Sequence, residues 1–401
     1  MRYEENGADL LDVGGHQLLR HIRNQPGLSQ ADLARITKLS PSTITRRIAK
    51  LIEQGYIVEN VNTDQVRKRR RGTGLELNSL WGSVIGLEIT DLSVTGILMD
   101  FAGNVIQEYE THLHQRNPID VTDAINSVLA HLQDDTHIVK HIAVASHGVI
   151  DDIHGAIISF PGEPDWQATP ITQRITESTG IDCTLEMRAH AALVGELCYR
   201  RLTGGTMLYF NSGPGNGIGM PLVIDGRLVS GCIGLAGNLG HIQVVPHGRR
   251  CYCGSYGCLA TVATPQALVD KANAALAQYV ESTLRTRAPI KFVDIVETAG
   301  QGDKLAISLI EEAGHYLGLG FSYAINLANP ELIVLGGTLA TAGSLLLESI
   351  KRTARQATVA AAFNCIKWEI SSLQWNPAAY GAANMALERL LALEHPAGIH
   401  C

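Results

Sequence analysis

His241, Cys251, Cys253 and Cys258 lie in the run GHIQVVPHGRRCYCGSYGCL at residues 240–259. Three thiols and one imidazole within eighteen positions make a complete tetrahedral donor set for zinc. Gly254 and Gly257 let the chain turn between Cys253 and Cys258, so both sulfurs can face one ion. Four protein ligands leave no open coordination position, so the expected zinc is structural and performs no catalysis. The other five cysteines (Cys183, Cys198, Cys232, Cys365 and Cys401) are scattered and odd in number, which suits reduced thiols in a cytoplasmic protein.

A second group of chemistry-bearing residues sits near the N-terminus. The helix expected over PSTITRRIAKLIEQG starts at the cap Ser40, with Pro41 at its first position, and ends at Gly55. Its period buries Ile44, Ile48, Leu51 and Ile52 and exposes Ser42, Thr43, Thr45, Arg46 and Arg47. Before it, Ser29 caps a short helix packed through Leu33, Ala34 and Ile36, and a first helix carries Leu18, Leu19 and Ile22 before stopping at Pro26-Gly27. Two short helices joined by a tight turn, the second with a polar and basic start, form a helix-turn-helix. A strand over 56–61, the cluster Arg67, Lys68, Arg69, Arg70 and Arg71, and a strand at 75–78 add a wing. Hydroxyls and guanidinium groups there suit base edges and phosphates of double-stranded DNA, the wing arginines a narrow minor groove.

The charge supports this division. Residues 1–78 hold thirteen Lys/Arg and nine Asp/Glu, a net of +4, so the remainder carries −11 of the total −7. A basic end on an acidic body is expected where one end meets nucleic acid. The 401 residues suffice for two or three domains: 1–78 as the DNA-binding module, 79–200 as a first α/β lobe with the C-terminal helix returning to it, and 201–401 as a second lobe with the metal loop. The start MRYEENGADLL is acidic and lacks the apolar run of a signal peptide, and no apolar stretch reaches membrane-spanning length.

From residue 83 the pattern becomes strand-rich: a meander with a turn at Ala102-Gly103-Asn104, a helix near 121–135, a strand at 141–151, and a strand entering a helix over 183–200. Gly213, Gly215, Gly217 and Gly219 punctuate a hairpin able to present backbone N–H groups to a phosphate. Helices follow near 264–282, 293–300 and 303–328, then the strand NPELIVLGGTL with Gly336-Gly337, and a last helix ending near Leu393.

A winged helix-turn-helix, the GxGxG hairpin, GH-x9-C-x-C-G-x2-G-C and NPELIVLGG, in that order, resemble the ROK family (repressors, open reading frames and sugar kinases), in its Mlc/NagC-type repressor branch. The resemblance covers nearly the whole chain. It implies an actin-like ATPase fold of two ribonuclease-H-like lobes around a cleft, and a homodimer or dimer of dimers that represses sugar-uptake or sugar-metabolism genes at a pseudo-palindromic operator. It also allows control by a sugar phosphotransferase protein in place of a metabolite.

The departures from the family pattern bear on activity. The kinases' DxGGT phosphate loop is here Glu88-Ile89-Thr90-Asp91, with Thr90 in place of a glycine. Their NDAN run, whose Asp is the general base, is here Met187-Arg188-Ala189-His190. Arginine cannot accept a proton, so no phosphoryl-transfer base stands there. Their ExGH is Asn238-Leu239-Gly240-His241, and their CLE is Cys258-Leu259-Ala260. The expected protein is therefore a non-catalytic regulator, with a sugar kinase as the alternative. Arg188, with His190, Asn238 and His241 nearby, is expected either to grip an anionic sugar derivative or to pair with an acid such as Glu186 or Glu196.

Overall fold

The computed structural model describes residues 13–60, 74–133, 136–160, 165–213, 217–279, 281–373 and 375–391. The N-terminal module consists of α1 (Val13–Asn24), α2 (Gln30–Thr37) and α3 (Pro41–Glu53), then the antiparallel pair β1 (Ile57–Asn60) and β2 (Gly74–Leu77). Local chemistry sets the helix starts. Ser29 and Asp32 form a reciprocal capping box on α2, and the Ser40 hydroxyl accepts from the Thr43 N–H at 3.2 Å on α3. Leu18, Leu19, Ile22, Leu33, Ile44, Ile48 and Leu51 form the small core. Ile36 and Ile52, expected to pack, are instead 39% and 38% exposed, because three short helices close their core with one narrow stripe each.

The first lobe runs β3 (Ser83–Ile89), β4 (Ser93–Asp100), β5 (Val105–His112), α4 (Pro118–Leu132), β6 (Val139–Ser146), the small hairpin β7 (Val149–Asp151) and β8 (Ala156–Ser159), α5 (Ile171–Thr179), β9 (Cys183–Met187) and α6 (Arg188–Arg200). Its sheet order is β5-β4-β3-β6-β9, antiparallel through β5, β4 and β3 and parallel onward.

The second lobe holds β10 (Met207–Ser212), β11 (Ile218–Gly219), β12 (Leu222–Ile224), β13 (Arg227–Leu228), α7 (Pro265–Ala275), α8 (Phe292–Gly300), α9 (Lys304–Ala328), β14 (Leu332–Gly337), α10 (Gly343–Ala357), α11 (Ala360–Asn364) and β15 (Lys367–Ile370). Its main order, β13-β12-β10-β14-β15, repeats that of the first lobe, with the same change from antiparallel to parallel pairing. Two ribonuclease-H-like lobes therefore face one another, as the resemblance implied.

The last helix, α12 (Pro377–Leu391), leaves the second lobe and lies across β3 and β6 of the first. It covers one face of that sheet while α4 covers the other, so every residue of β3 is buried. The edge strand β5, by contrast, is exposed along most of its length. α5, α10 and β15 were not anticipated from sequence, and α7 ends at Ala275, short of the expected 282.

Candidate functional site

The metal loop is the most compact group. The ligand atoms of His241, Cys251, Cys253 and Cys258 all lie within 4.8 Å of one another. Nδ1 of His241 is 3.6 Å from the Cys251 sulfur, and the Cys253 and Cys258 sulfurs are 3.7 Å apart. Bonds of about 2.3 Å to sulfur and about 2.0 Å to nitrogen at tetrahedral angles require edges of roughly 3.5–3.8 Å. The four residues thus fit one tetrahedral ion. Gly257 sits at φ +69, and a Cβ there would lie 1.7 Å from the Val245 carbonyl oxygen, so the turn requires glycine. Burial pushes the Cys258 thiol up to about 12, whereas the Ser255 backbone N–H lowers that of Cys253. A bound cation would favour both thiolates. The Tyr252 hydroxyl stands 3.1 Å from Nε2 of His241. Both ring nitrogens therefore have partners within the metal loop.

The cleft carries the second group. Arg188, the first residue of α6, meets Glu88 of β3, with Nε donating to Oε1 at 2.5 Å. Their side chains are only 17% and 4% exposed. The anticipated alternatives, Glu186 and Glu196, are not the partners. Glu196 pairs with Arg200 and accepts from the Ser371 hydroxyl at 2.6 Å. Burial raises Glu186 to about 7, an uncharged tendency that suits no ion pair. The sequence places Glu88 one hundred residues away, and only the parallel arrangement β3-β6-β9 brings it beside the start of α6.

Glu88, Arg188, Thr90, Asn211, Gly337 and Ser371 line a cavity of about 300 Å³ between the lobes. The Thr90 hydroxyl accepts from the N–H groups of Leu92 and Ser93 at 3.1 and 3.0 Å, closing a tight turn where the kinase motif has glycine. Gly336 and Gly337 line the cavity but also have packing reasons. A Cβ on either would lie 2.2 Å from the Tyr209 hydroxyl or the Ser212 carbonyl oxygen, respectively. Of the glycine hairpin, Gly213 approaches the Arg188 guanidinium, and Gly215 lies outside the described residues.

His190 is buried, and its Nε2 hydrogen-bonds the Ala236 carbonyl at 3.2 Å. Burial lowers its basicity. This bond joins α6 to the 236–241 segment, where Asn238 is exposed and its amide donates to the Leu235 carbonyl at 3.0 Å. Sequence reasoning missed a third cluster on the first lobe. Asp91 accepts from His147 at 3.0 Å and Arg116 at 3.1 Å, and the His147 hydrogen bond, ahead of the Arg116 charge, lowers Asp91 to about 2. No spacing signal marks it, because the three residues come from separate loops.

The DNA-facing helix is narrower than expected. Ser42, Thr45 and Arg46 are exposed on α3. The Thr45 hydroxyl donates to Gln30 at 2.9 Å, fastening α3 to α2, and Thr43 is half-buried against the Ser40 cap at 2.8 Å. Arg47, expected to be exposed, is half-buried: its guanidinium packs on Gly14 of α1, where a Cβ would sit 1.9 Å from one of its nitrogens. It lies on the inner side of the helix because it follows the packing stripe of Ile44 and Ile48. Arg67, Lys68, Arg69, Arg70 and Arg71 lie outside the described residues.

Similarity to known proteins agrees with this architecture. The ROK family matches residues 84–389, and a winged helix-turn-helix DNA-binding family matches residues 16–58. A xylose repressor of Caldicellulosiruptor bescii is 24% identical over 95% of this chain and 99% of its own length. The transcriptional repressor Mlc of Escherichia coli is 25% identical, covering 83% of each chain. Among solved structures, a ROK family transcriptional regulator homologous to E. coli Mlc superposes with a TM-score of 0.81 at 26% identity, covering 94% of this chain and 97% of that one. A ROK glucokinase of Streptomyces griseus, in complex with glucose and AMPPNP, gives 0.67 at 25% identity, covering 77% of this chain and all of that one. Matched along its body and carrying the N-terminal module in front, the chain belongs to the ROK family and is homologous to its Mlc, NagC and xylose repressors.

Proposed function

We propose that this chain is a carbohydrate-responsive transcriptional repressor that performs no phosphoryl transfer. One observation carries the reading: a winged helix-turn-helix shares a continuous core with a ROK body whose general-base position holds Arg188, already paired to Glu88. A guanidinium cannot take the proton of a sugar hydroxyl. The body instead supplies a cleft whose closure a sugar-derived ligand can bias, shifting the population competent for DNA. Glu88 already occupies Nε of Arg188, so an anionic sugar derivative competes with that carboxylate for the guanidinium, whereas a neutral sugar does not.

Zinc in the His241, Cys251, Cys253 and Cys258 loop serves as a structural ion holding the cleft wall, and its supply of charge makes the three thiolates stable. The functional unit is a homodimer, as a pseudo-palindromic operator requires. Tyr323 and Leu327 near the end of α9, with Val359 beside them, are 51%, 88% and 66% exposed and offer an apolar patch for a second copy. Cytoplasmic residence follows from this role, and among the described residues no helix is long and apolar enough to cross a membrane. Capture by a sugar phosphotransferase protein is an alternative mode of control for the same DNA-binding function.

The test uses duplexes selected from random sequence by the full chain, with affinity measured by fluorescence anisotropy against neutral sugars, sugar acids and sugar phosphates. Sequence-specific binding released by a sugar-class ligand supports the proposal. ATP-dependent phosphorylation of a sugar by the same preparation, lost in Arg188→Ala, refutes the non-catalytic reading. In Glu88→Gln, the freed guanidinium should tighten binding of sugar acids and phosphates relative to wild type.

A further inference from the structure

The DNA-binding module meets the body along α1 and α12. Glu388, in the last two turns of α12, is 3% exposed. Both of its cationic partners come from the other module: Arg23 donates to Oε1, and Nε of Arg20 lies 3.4 Å from Oε2. The second terminal nitrogen of Arg23 donates to Oδ1 of Asn384 at 2.7 Å, and the Asn384 amide in turn donates to the Tyr380 carbonyl at 2.8 Å. Nδ1 of His16 is 2.9 Å from the Leu391 carbonyl oxygen. Three positions spaced along α1 therefore grip three along α12.

A buried ion pair contributes little net stability against apolar packing of similar volume, but its geometry is directional. The guanidinium of Arg23 reaches Glu388 and Asn384 together only at one register of the two helices. α1 in turn carries α3, through the shared core of Leu18, Leu19, Ile22, Ile44 and Ile48 and through Arg47 on Gly14. At its other end α12 is locked to α6. A Cβ on Gly381 would lie 1.7 Å from the Ala191 carbonyl oxygen, and one on Gly195 2.4 Å from that of Pro377. α6 begins at Arg188 in the cleft.

We infer that Glu388 is a positioning residue for DNA recognition. With Arg20, Arg23 and Asn384 it fixes the angle of α3 to the body, so that the two modules of a dimer engage both half-sites at once. The inference rests on the repressor reading above. Removing the carboxylate charge leaves each module able to bind DNA but loosens its orientation. Two-site binding then loses effective concentration while one-site binding does not.

The experiment compares full-length wild type, Glu388→Gln and Asn384→Ala on the selected duplex and on a duplex carrying one half-site. Asn384→Ala leaves no buried charge unpaired and serves if Glu388→Gln fails to fold. The expected result is about a tenfold or larger loss of affinity for the complete operator in Glu388→Gln, a smaller loss in Asn384→Ala, and half-site affinity within about twofold of wild type. Unchanged affinity for the complete operator, or equal losses on both duplexes, overturns the inference. A second readout does not depend on DNA: electron-spin distances between labels on unnatural residues at the exposed positions Ala49 and Ile138. The distribution should broaden in both variants, and one that stays as narrow as wild type overturns the inference. Wild type that selects no duplex refutes the repressor reading instead.

Discussion

At the residue scale, two small groups decide what the body can do. Cys258 is fully buried and stands 3.7 Å from Cys253, so at the proposed zinc site no solvent would replace its bond to the metal. Cys258→Ser should lower the bound metal from one equivalent to near zero, as read by elemental analysis, and should drop the melting temperature. Treating wild type with a chelator should reproduce that drop, since binding free energy here is folding free energy. The Glu88–Arg188 pair makes a different prediction. Arg188→Ala leaves a carboxylate buried and unpaired, which should cost about 3 kcal/mol of unfolding free energy in urea. The double variant Glu88→Gln with Arg188→Met should recover most of it. If the single and double variants lose equal stability, the pair is not coupled in the way described.

At the element scale, β6 and α6 each carry a histidine whose basicity burial lowers. His141 is 4% exposed, and burial, aided by the nearby Arg389 charge, lowers it to about 4 from its ordinary 6.5. Burial also lowers His190. The sign follows from proton binding. Between pH 6.5 and 4 the unfolded chain protonates the His141 ring and the folded chain does not, so this contribution is full above 6.5 and falls as pH drops toward 4; His190 acts in the same direction. His141 contributes a slope of up to about 1.4 kcal/mol per pH unit in that window. A His141→Asn variant should show a flatter stability profile from pH 6.5 to 4.5 in denaturant titrations. An unchanged slope would place the ring's protonation elsewhere.

At the scale of the whole molecule, the exposed apolar patch at the end of α9 is the face proposed above for a second copy. Leu327→Asp puts a charge on its most exposed member and should shift the chain toward monomer in light scattering, with loss of affinity for a two-site operator. A dimer that persists would move the interface to another face.

Much of this was legible along the chain. The metal ligands lie within one loop, so their grouping needed only spacing and two glycines. The caps Ser29 and Ser40 act within three residues and marked α2 and α3 directly. That position 188 itself accepts no proton could be read from residue type alone, since arginine stays charged. Less legible were α10 and β15, whose apolar stripes gain meaning only against α9 and β14. Arg47 differs from Arg46 by one step around a helix, and only the packing of α1 on α3 shows which of the two turns inward.

Parts with local causes could be read from the chain alone: the zinc-type donor set, the helix-turn-helix and the arginine at the position where the kinase motif has its Asp. Tertiary structure alone decided what joins them. It chose Glu88 as the partner of Arg188 across one hundred residues, engaged both nitrogens of His241 at the metal loop, and set Glu388 against Arg20 and Arg23 across the junction of body and DNA-binding module. The reason is physical. Periodicity and spacing report which side chains share an element, but ion pairs between distant elements depend on sheet order and helix crossing, which the whole core fixes together.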